Sequence, residues 1–440
     1  MTQVVVNIPM VSSTIFRNRL LYVLDFIKNH PCAPKNVTWT LDSKEGDINI
    51  SYGIDGRHLN MPNACLCFEN LPRNNDKEHI CLQYNGMTLY GFKGKDEWKC
   101  HFFADIFQTI FFHISRLEEW NAHPNDLDPH GMLSSKNHFF VRHNIHEIPI
   151  VDHLVYYLYQ ELGLMPTLLV TKYNVSHDLD AIQKFPSFYK FLRAIANVVL
   201  VQDNKISSLF RLIITWYQYK IQKINDPYDT FEWLFETNSS KINSKYLYVL
   251  SGGKTRYENF FDINDPKIKS LVQNAVEQGY VIGIHPSYMA GENKQMTETE
   301  LKSLEKISNL KIEDSRQHFL RYFIPKTGEI LEQLNLKTDS SFGYRNLIGF
   351  RCGTGFPYKM YNFNQEKPYN FVEIPMVVMD MALIHCFGRD TKVICRHLDS
   401  FISRNKNFTL ITFNFHNSTF DPTLMDASEF RKYYISLFSS

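Results

Sequence analysis

From Pro166 onward the chain alternates apolar runs of strand length with stretches of helical period, and this rhythm restricts the possible fold more than any other feature. Strand candidates fall at 168–175, 246–250, 280–284, 313–316, 348–351, 371–376 and 408–415. Helical patterns fall at 266–278, 297–310, 325–334, 391–404 and 422–437. A strand that returns through a helix pairs with its successor in parallel, because the crossover brings the chain back to the end it started from. The expectation is therefore an α/β architecture with a parallel sheet, open or closed into a barrel. The stretch 181–245 is too long for one crossover and predicts a helical insertion, with helices at 191–201 and 209–221.

Residues 1–165 read differently. An amphipathic helix is expected over 14–29, with Phe16, Leu20, Val23, Leu24 and Ile27 on one side. Short strand-like runs follow at 37–41 and 48–52, then a long helix at 102–120, a polar segment at 121–144 and a helix at 151–163. This reads as a separate N-terminal α+β domain with no internal repeat. At 440 residues the chain has room for two or three domains.

Net charge is +1, without a long basic run, which argues against nucleic acid as the main partner. The eight cysteines show no CxxC pair and no framework spacing, as expected of free thiols in a reducing compartment. The N-terminus lacks a basic n-region and cleavage site, and no apolar run reaches the roughly 18 residues that span a bilayer. These readings predict a soluble, cytoplasmic protein with no membrane span.

The polar residues gain meaning when placed on the strand map. Asp178 and Asp180, two apart on an extended chain, share a face. His285 follows the strand at 280–284, Arg316 and His318 follow the next, Arg351 ends another, and His416 ends the run at 408–415. Each has a commonplace alternative: Asp caps helices, a lone His bonds a loop, a lone Arg pairs at a surface. Parallel α/β folds gather the carboxyl ends of their strands on one rim, where active sites sit. Five strand ends delivering Asp, His or Arg to one rim point to a metal-assisted hydrolytic site.

The order of these residues resembles the carbohydrate esterase family 4 deacetylases, which carry a NodB homology domain. The segment His177-Asp178-Leu179-Asp180 resembles that family's acidic pair, which makes Asp178 the general base and Asp180 a metal ligand. Gly283-Ile284-His285-Pro286-Ser287-Tyr288 resembles its histidine loop, with His285 a ligand. Ser315-Arg316-Gln317-His318-Phe319 resembles the motif whose Arg holds the base, with Gly349-Phe350-Arg351-Cys352-Gly353 a rival match. Phe413-Asn414-Phe415-His416-Asn417 resembles the C-terminal motif that supplies a general acid; Glu373 or Asp380 is its candidate acidic partner. The resemblance implies a deformed (β/α) barrel of about seven strands over 166–440, zinc as the divalent metal, and a sugar or polysaccharide precursor bearing N- or O-acetyl groups. Asp105-Ile106-Phe107, the run 115–119 and Asp128-Pro129-His130-Gly131 resemble an N-terminal region found in a subgroup of bacterial deacetylase-like proteins.

One departure matters. The family's second histidine, four residues after the first, is here Met289. A thioether is a poor zinc ligand beside imidazole and carboxylate, and a catalytic zinc takes about three protein ligands plus water. His318 is the expected replacement, since it lies on a neighbouring strand end. His177 alternates with Asp178 and is expected to face away. Tyr288, Arg351 and Tyr358 are candidates for contact with substrate, and Phe356 and Phe420 for stacking on a sugar face. A second function class, a non-catalytic carbohydrate-binding or assembly protein on a deacetylase scaffold, takes its support from Met289.

Overall fold

A computed structural model describes all residues except 1, 11, 43–45, 55–58, 65–67, 69–78, 96–99, 202–204, 223–224, 237–238, 259–260, 422–426 and 439–440. The N-terminal part opens with β1 (Thr2–Asn7), α1 (Thr14–Asn29), β2 (Val37–Leu41), β3 (Ile48–Tyr52) and β4 (Leu59–Met61), followed by β5 (His79–Tyr84) and β6 (Met87–Phe92). Strands β1 to β4 form a parallel sheet in the order β2-β1-β3-β4, and β5-β6 is an antiparallel hairpin. Helix α1 starts where the Ser13 hydroxyl accepts a hydrogen bond from the Phe16 N–H at 3.1 Å, an N-cap that satisfies one otherwise orphaned donor.

The helix expected at 102–120 is two helices, α2 (Ile106–Ile114) and α3 (Leu117–Trp120). All nine residues of α2 are buried, as an apolar helix sandwiched between layers must be. Arg116 breaks the run in a left-handed conformation, φ +59°. That turn sends its guanidinium inward, against Glu118, Glu119 and the carbonyl of Arg351. Two further helices, α4 (Phe139–Arg142) and α5 (Ile150–Glu161), complete this part.

The second part runs β7 (Lys172–Leu179), α6 (Phe188–Val201), α7 (Lys205–Ile221), α8 (Phe231–Phe235), β8 (Ile242–Leu250), α9 (Pro266–Glu277) and β9 (Val281–His285). It continues with α10 (Lys294–Ser308), β10 (Asp314–Ser315), α11 (Lys326–Gln333), β11 (Thr338–Asp339), β12 (Tyr358–Asn362), β13 (Lys367–Glu373) and β14 (Val378–Met379). The chain then closes with α12 (Asp380–Phe387), α13 (Thr391–Asn405), β15 (Leu410–Asn414) and α14 (Ala427–Phe438). The expected insertion is α6 and α7. The start of the helix expected at 422–437 lies outside the described residues. The run 348–351 is not a strand: Gly349 and Phe350 instead bond their N–H groups to Val377 and His146. The hairpin β12-β13 and the two-residue strands β11 and β14 stand outside the simple alternation.

These strands form one nine-stranded sheet, β12-β13-β11-β10-β9-β8-β7-β15-β14, parallel throughout except for β12. The ladder is not closed by strand pairing among the described residues, but the sheet must curl. Strands β13 and β14 stand seven steps apart, about 34 Å in a flat sheet at ~4.8 Å per step. The chain joins them through four residues, Ile374 to Val377, and Glu373 to Val378 spans at most about 18 Å. The linker is itself bonded to both sides, Ile374 N–H to Asp339 O at 2.7 Å and Val377 N–H to Thr412 O at 3.0 Å. One continuous apolar core runs beneath this sheet and through α1, α2 and α5. Cys32, Cys81, Cys352, Cys386 and Cys395 form no disulfide. No helix among the described residues is long and apolar enough to cross a membrane.

Candidate metal centre

Strand register levels the functional groups. Asn414 is paired with Ser176, which puts His416, just past β15, level with Asp178 near the end of β7. Ser315 is paired with Ile284, which puts Arg316 level with His285. Gly283 permits this packing: a Cβ there would come within 2.5 Å of the Tyr248 ring, and that ring lies under the Arg316 guanidinium at 4.3 Å.

The structure brings Asp178, Asp180, His285, His318 and His416 around one cavity of about 360 Å³. Ligand atoms of Asp180, His285 and His318 all lie within 4.8 Å of one another. Ligands about 2.0–2.1 Å from a tetrahedral zinc stand roughly 3.3–3.4 Å apart; His285 Nε2 and Asp180 Oδ1 are 3.3 Å apart. His318 Nε2 lies 3.7 Å from Asp180 Oδ2. His285 Nδ1 is 2.6 Å from the carbonyl oxygen of Arg316, so it carries the proton and donates it. That fixes the tautomer and turns the Nε2 lone pair toward Asp180. Asp180 Oδ1 is buried and makes no hydrogen bond. A lone pair facing a carboxylate at this distance needs a proton or a cation between them, and the donor set suits zinc. His177 faces the other way, bonded to Phe415 O at 2.7 Å and near Tyr434.

Glu258, in the loop after β8, stands 3.9 Å from His318 Nδ1. Burial raises its pKa, but His318, Thr255 and the Tyr288 N–H outweigh this and hold it down at about 2. Glu258 thus sets a negative charge on the Nδ1 side of His318, while Nε2 faces Asp180. Burial likewise pushes Asp180 up, and His318, His285 and His416 hold it well below the ordinary carboxylate range.

Asp178 is locked from two sides. Arg316 Nη1 donates to Oδ1 at 2.9 Å and Asn414 Nδ2 donates to Oδ2 at 2.8 Å. Arg316 is fully buried and also donates to Ser176 Oγ, Asn414 Oδ1, Ser340 O and Ser340 Oγ, which leaves it no other rotamer. Burial raises the Asp178 pKa, while Arg316, His285 and His416 lower it further, so the carboxyl stays ionised. Across the cavity, His416 Nε2 lies 3.8 Å from Asp178 Oδ2 and 3.5 Å from Asp180 Oδ2. Its Nδ1 is 2.8 Å from Asp380 Oδ1, and Asp380 also accepts from the His416 N–H and the Thr419 hydroxyl. Burial lowers the His416 pKa, but Asp380, Asp180 and Asp178 raise it to about 10.

Other expected residues lie elsewhere. Arg351 pairs with Glu119 at 2.8 Å and donates to Gly343 O, so of the two arginines it is Arg316 that holds Asp178. Glu373 is buried against Asp339 and the Phe342 N–H rather than beside His416; burial and Asp339 raise its pKa well above the carboxylate range. Tyr358 and Phe356 line a separate cleft beside α1. Phe420 packs among Trp233, Phe430 and Tyr434. Tyr288 stands one layer behind the cavity, stacked on Tyr257 at 4.1 Å and bonded to His130 at 2.8 Å. The cavity wall itself includes Tyr257, Phe319, Tyr228 and Arg345. Arg345 in turn pairs with Asp128, so residues 128–130 buttress this wall. Asn414 was legible, since it shares a strand face with His416; Glu258, eight residues past the end of β8, had no such signal.

Residues 8–165 match a sequence family described as a family of unknown function (DUF7033). No curated protein matches the chain. Among solved structures, a Mycobacterium smegmatis protein assigned as a polysaccharide deacetylase is similar at 12% identity over 62% of this chain and 85% of that one, with a TM-score of 0.34. A GH57 branching enzyme from Thermococcus kodakaraensis is similar at 7% identity, over 61% of this chain and 68% of that one, TM-score 0.31. A CE4 family pseudoenzyme from Bacillus anthracis is similar at 7% identity, over 61% and 62%, TM-score 0.26. At these scores none of the matches by itself establishes a common fold.

Proposed function

We propose that the protein is a metal-dependent deacetylase acting on an N- or O-acetylated sugar or polysaccharide precursor. One observation carries the reading: a three-ligand cluster, Asp180, His285 and His318, lies between an ionised carboxylate held by arginine and a histidine held by aspartate. A bound zinc would polarise an acetyl carbonyl and acidify a water. Asp178 would accept a water's proton at Oδ2, the oxygen that faces His285 and His416 and keeps a second lone pair beside its bond from Asn414. A carboxylate held this far down is a weak base in bulk water, so its role depends on the water being acidified. His416, kept protonated by Asp380, is in the form that donates a proton to a departing amine or alkoxide. Backbone N–H groups on the rim would share in stabilising the oxyanion.

Within this reading, residues 166–440 form the catalytic unit and residues 1–165 an α+β domain that supports the cavity wall. The non-catalytic alternative rests on Met289, and His318 answers that departure by supplying the third donor. The test is acetate release from N- and O-acetylated oligosaccharides by zinc-loaded and chelator-stripped protein. Release that is lost with the metal and lost in Asp178→Asn, whose metal stays bound, is the expected result. Equal metal loss in Asp178→Asn and Asp180→Asn, or no release from any acetylated sugar, counts against it.

A further inference from the structure

The insertion between β7 and β8 presents an apolar surface that no other described residue covers. On α7, Ile206, Phe210, Ile213, Tyr217 and Ile221 are all exposed, Ile206 at 87% and Phe210 at 65%. Their spacing, i, i+4, i+7, i+11 and i+15, makes one stripe along the helix. On α6, exposed Phe188, Leu192 and Val199 make a second stripe, with Tyr189 beside it at 71%. The two helices already have an inner face: Phe185, Phe191, Val198 and Leu212 form a small core of their own, with Trp216 stacked on Phe191 at 4.6 Å. The stripes are thus an additional, outward face. Contiguous exposed apolar surface of this kind marks an interaction site.

Charge selects the occupant. Residues 190–225 carry six Lys or Arg (Lys190, Arg193, Lys205, Arg211, Lys220, Lys223) and one acid, Asp203, while Lys184 at the stem is buried against Asp421. We infer that α6 and α7 dock the protein on an anionic lipid bilayer, lying in the headgroup region with the two stripes inserted. A basic, aromatic-rich amphipathic surface gains there from apolar burial and from attraction to anionic lipid together. A second copy of the chain would bring the same basic residues face to face in a two-fold contact, which repels. Neither helix is long and apolar enough to span, so the pair lies on the surface.

The placement has a consequence for the cavity. The insertion leaves β7 directly after Asp180, and Ala181 and Tyr228, near its two stems, both line the cavity wall. Docking therefore sets the cavity mouth beside the lipid. This last point rests on the proposed deacetylase reading; the docking itself does not.

The test is flotation of the full-length protein with vesicles of phosphatidylcholine containing phosphatidylglycerol, and with phosphatidylcholine alone. Binding to the anionic vesicles that weakens with salt is expected, with roughly 30-fold weaker partition when Arg211 and Lys220 are both changed to Gln, at about 1 kcal/mol per basic residue. Phe210→Asp with Ile213→Asp should abolish binding while the circular dichroism spectrum and urea midpoint stay those of wild type, which shows that the variant is folded. Equal partition onto both vesicle types, undiminished binding by the Asp variant, or concentration-dependent dimers that this variant disrupts without any vesicle binding would overturn the inference. Loss of acetate release with vesicle binding intact would instead count against the enzymatic reading alone.

Discussion

His416 is the residue whose geometry says most about the chemistry. A group that only closed a turn would not need Asp380 committed to its Nδ1, its backbone N–H and the neighbouring Thr419 together. An imidazolium stabilised in this way matters most when the leaving group cannot depart unprotonated. His416→Ala should therefore slow an acetamide substrate by on the order of 100-fold or more, the usual scale of general acid catalysis. An activated aryl acetate should be affected far less. Equal loss on both substrates would reduce His416 to a structural role. The residues bearing this chemistry could be found in sequence because strand ends in a parallel sheet meet. Tyr358 was a candidate for contact with substrate only as an aromatic able to stack on a sugar face, and Arg351 partly because 348–351 resembles a strand. In the folded chain that segment is a loop, and Arg351 is spent on Glu119.

At the scale of elements, the sequence pattern located helices well and short strands poorly. Helices such as α9 and α13 carry their own caps, Asp265 before Pro266 and Asp390 before Thr391, and a long amphipathic period. Strand β10 lies within the run expected at 313–316, but the two-residue strands β11 and β14 have no period to detect and exist through pairing with their neighbours. The break at Arg116 was hidden for a related reason. The carbonyl of Arg351, a long-range partner, joins the local Glu118, Glu119 and His113 O in holding the side chain inward. Arg116 is fully buried and offsets both Glu118 and Glu119. Arg116→Ala would leave two buried carboxylates short of a partner and should destabilise the fold by about 3–5 kcal/mol. Urea denaturation measures this directly, and a loss below about 1 kcal/mol would mean that Arg351 and His138 suffice.

At the scale of the whole molecule, the two parts share one core, and its buried imidazoles set how stability depends on pH. His113 on α2 is stacked on Phe140 at 4.0 Å, and neither of its ring nitrogens has a hydrogen-bond partner. Burial lowers its pKa to about 3, against an ordinary value of 6.5. Between those two values the unfolded chain binds a proton that the folded chain refuses. Stability from this group is therefore complete above pH 6.5 and falls as pH drops toward about 3, by at most ~1.4 kcal/mol per pH unit. His113→Phe, which keeps the ring stack, should flatten the fall in urea midpoint over that range; parallel curves for the two proteins would place the proton uptake elsewhere.

The central claim is that His318 replaces the imidazole lost at Met289 and completes a metal centre with Asp180 and His285. Calorimetric titration of zinc into chelator-stripped protein tests it most directly, with wild type compared against His318→Ala and Met289→Ala. One zinc per chain is expected in wild type, with unchanged affinity in Met289→Ala and affinity weakened by on the order of 100-fold or more in His318→Ala. Zinc binding by His318→Ala as tight as by wild type, or none by wild type itself, would contradict it.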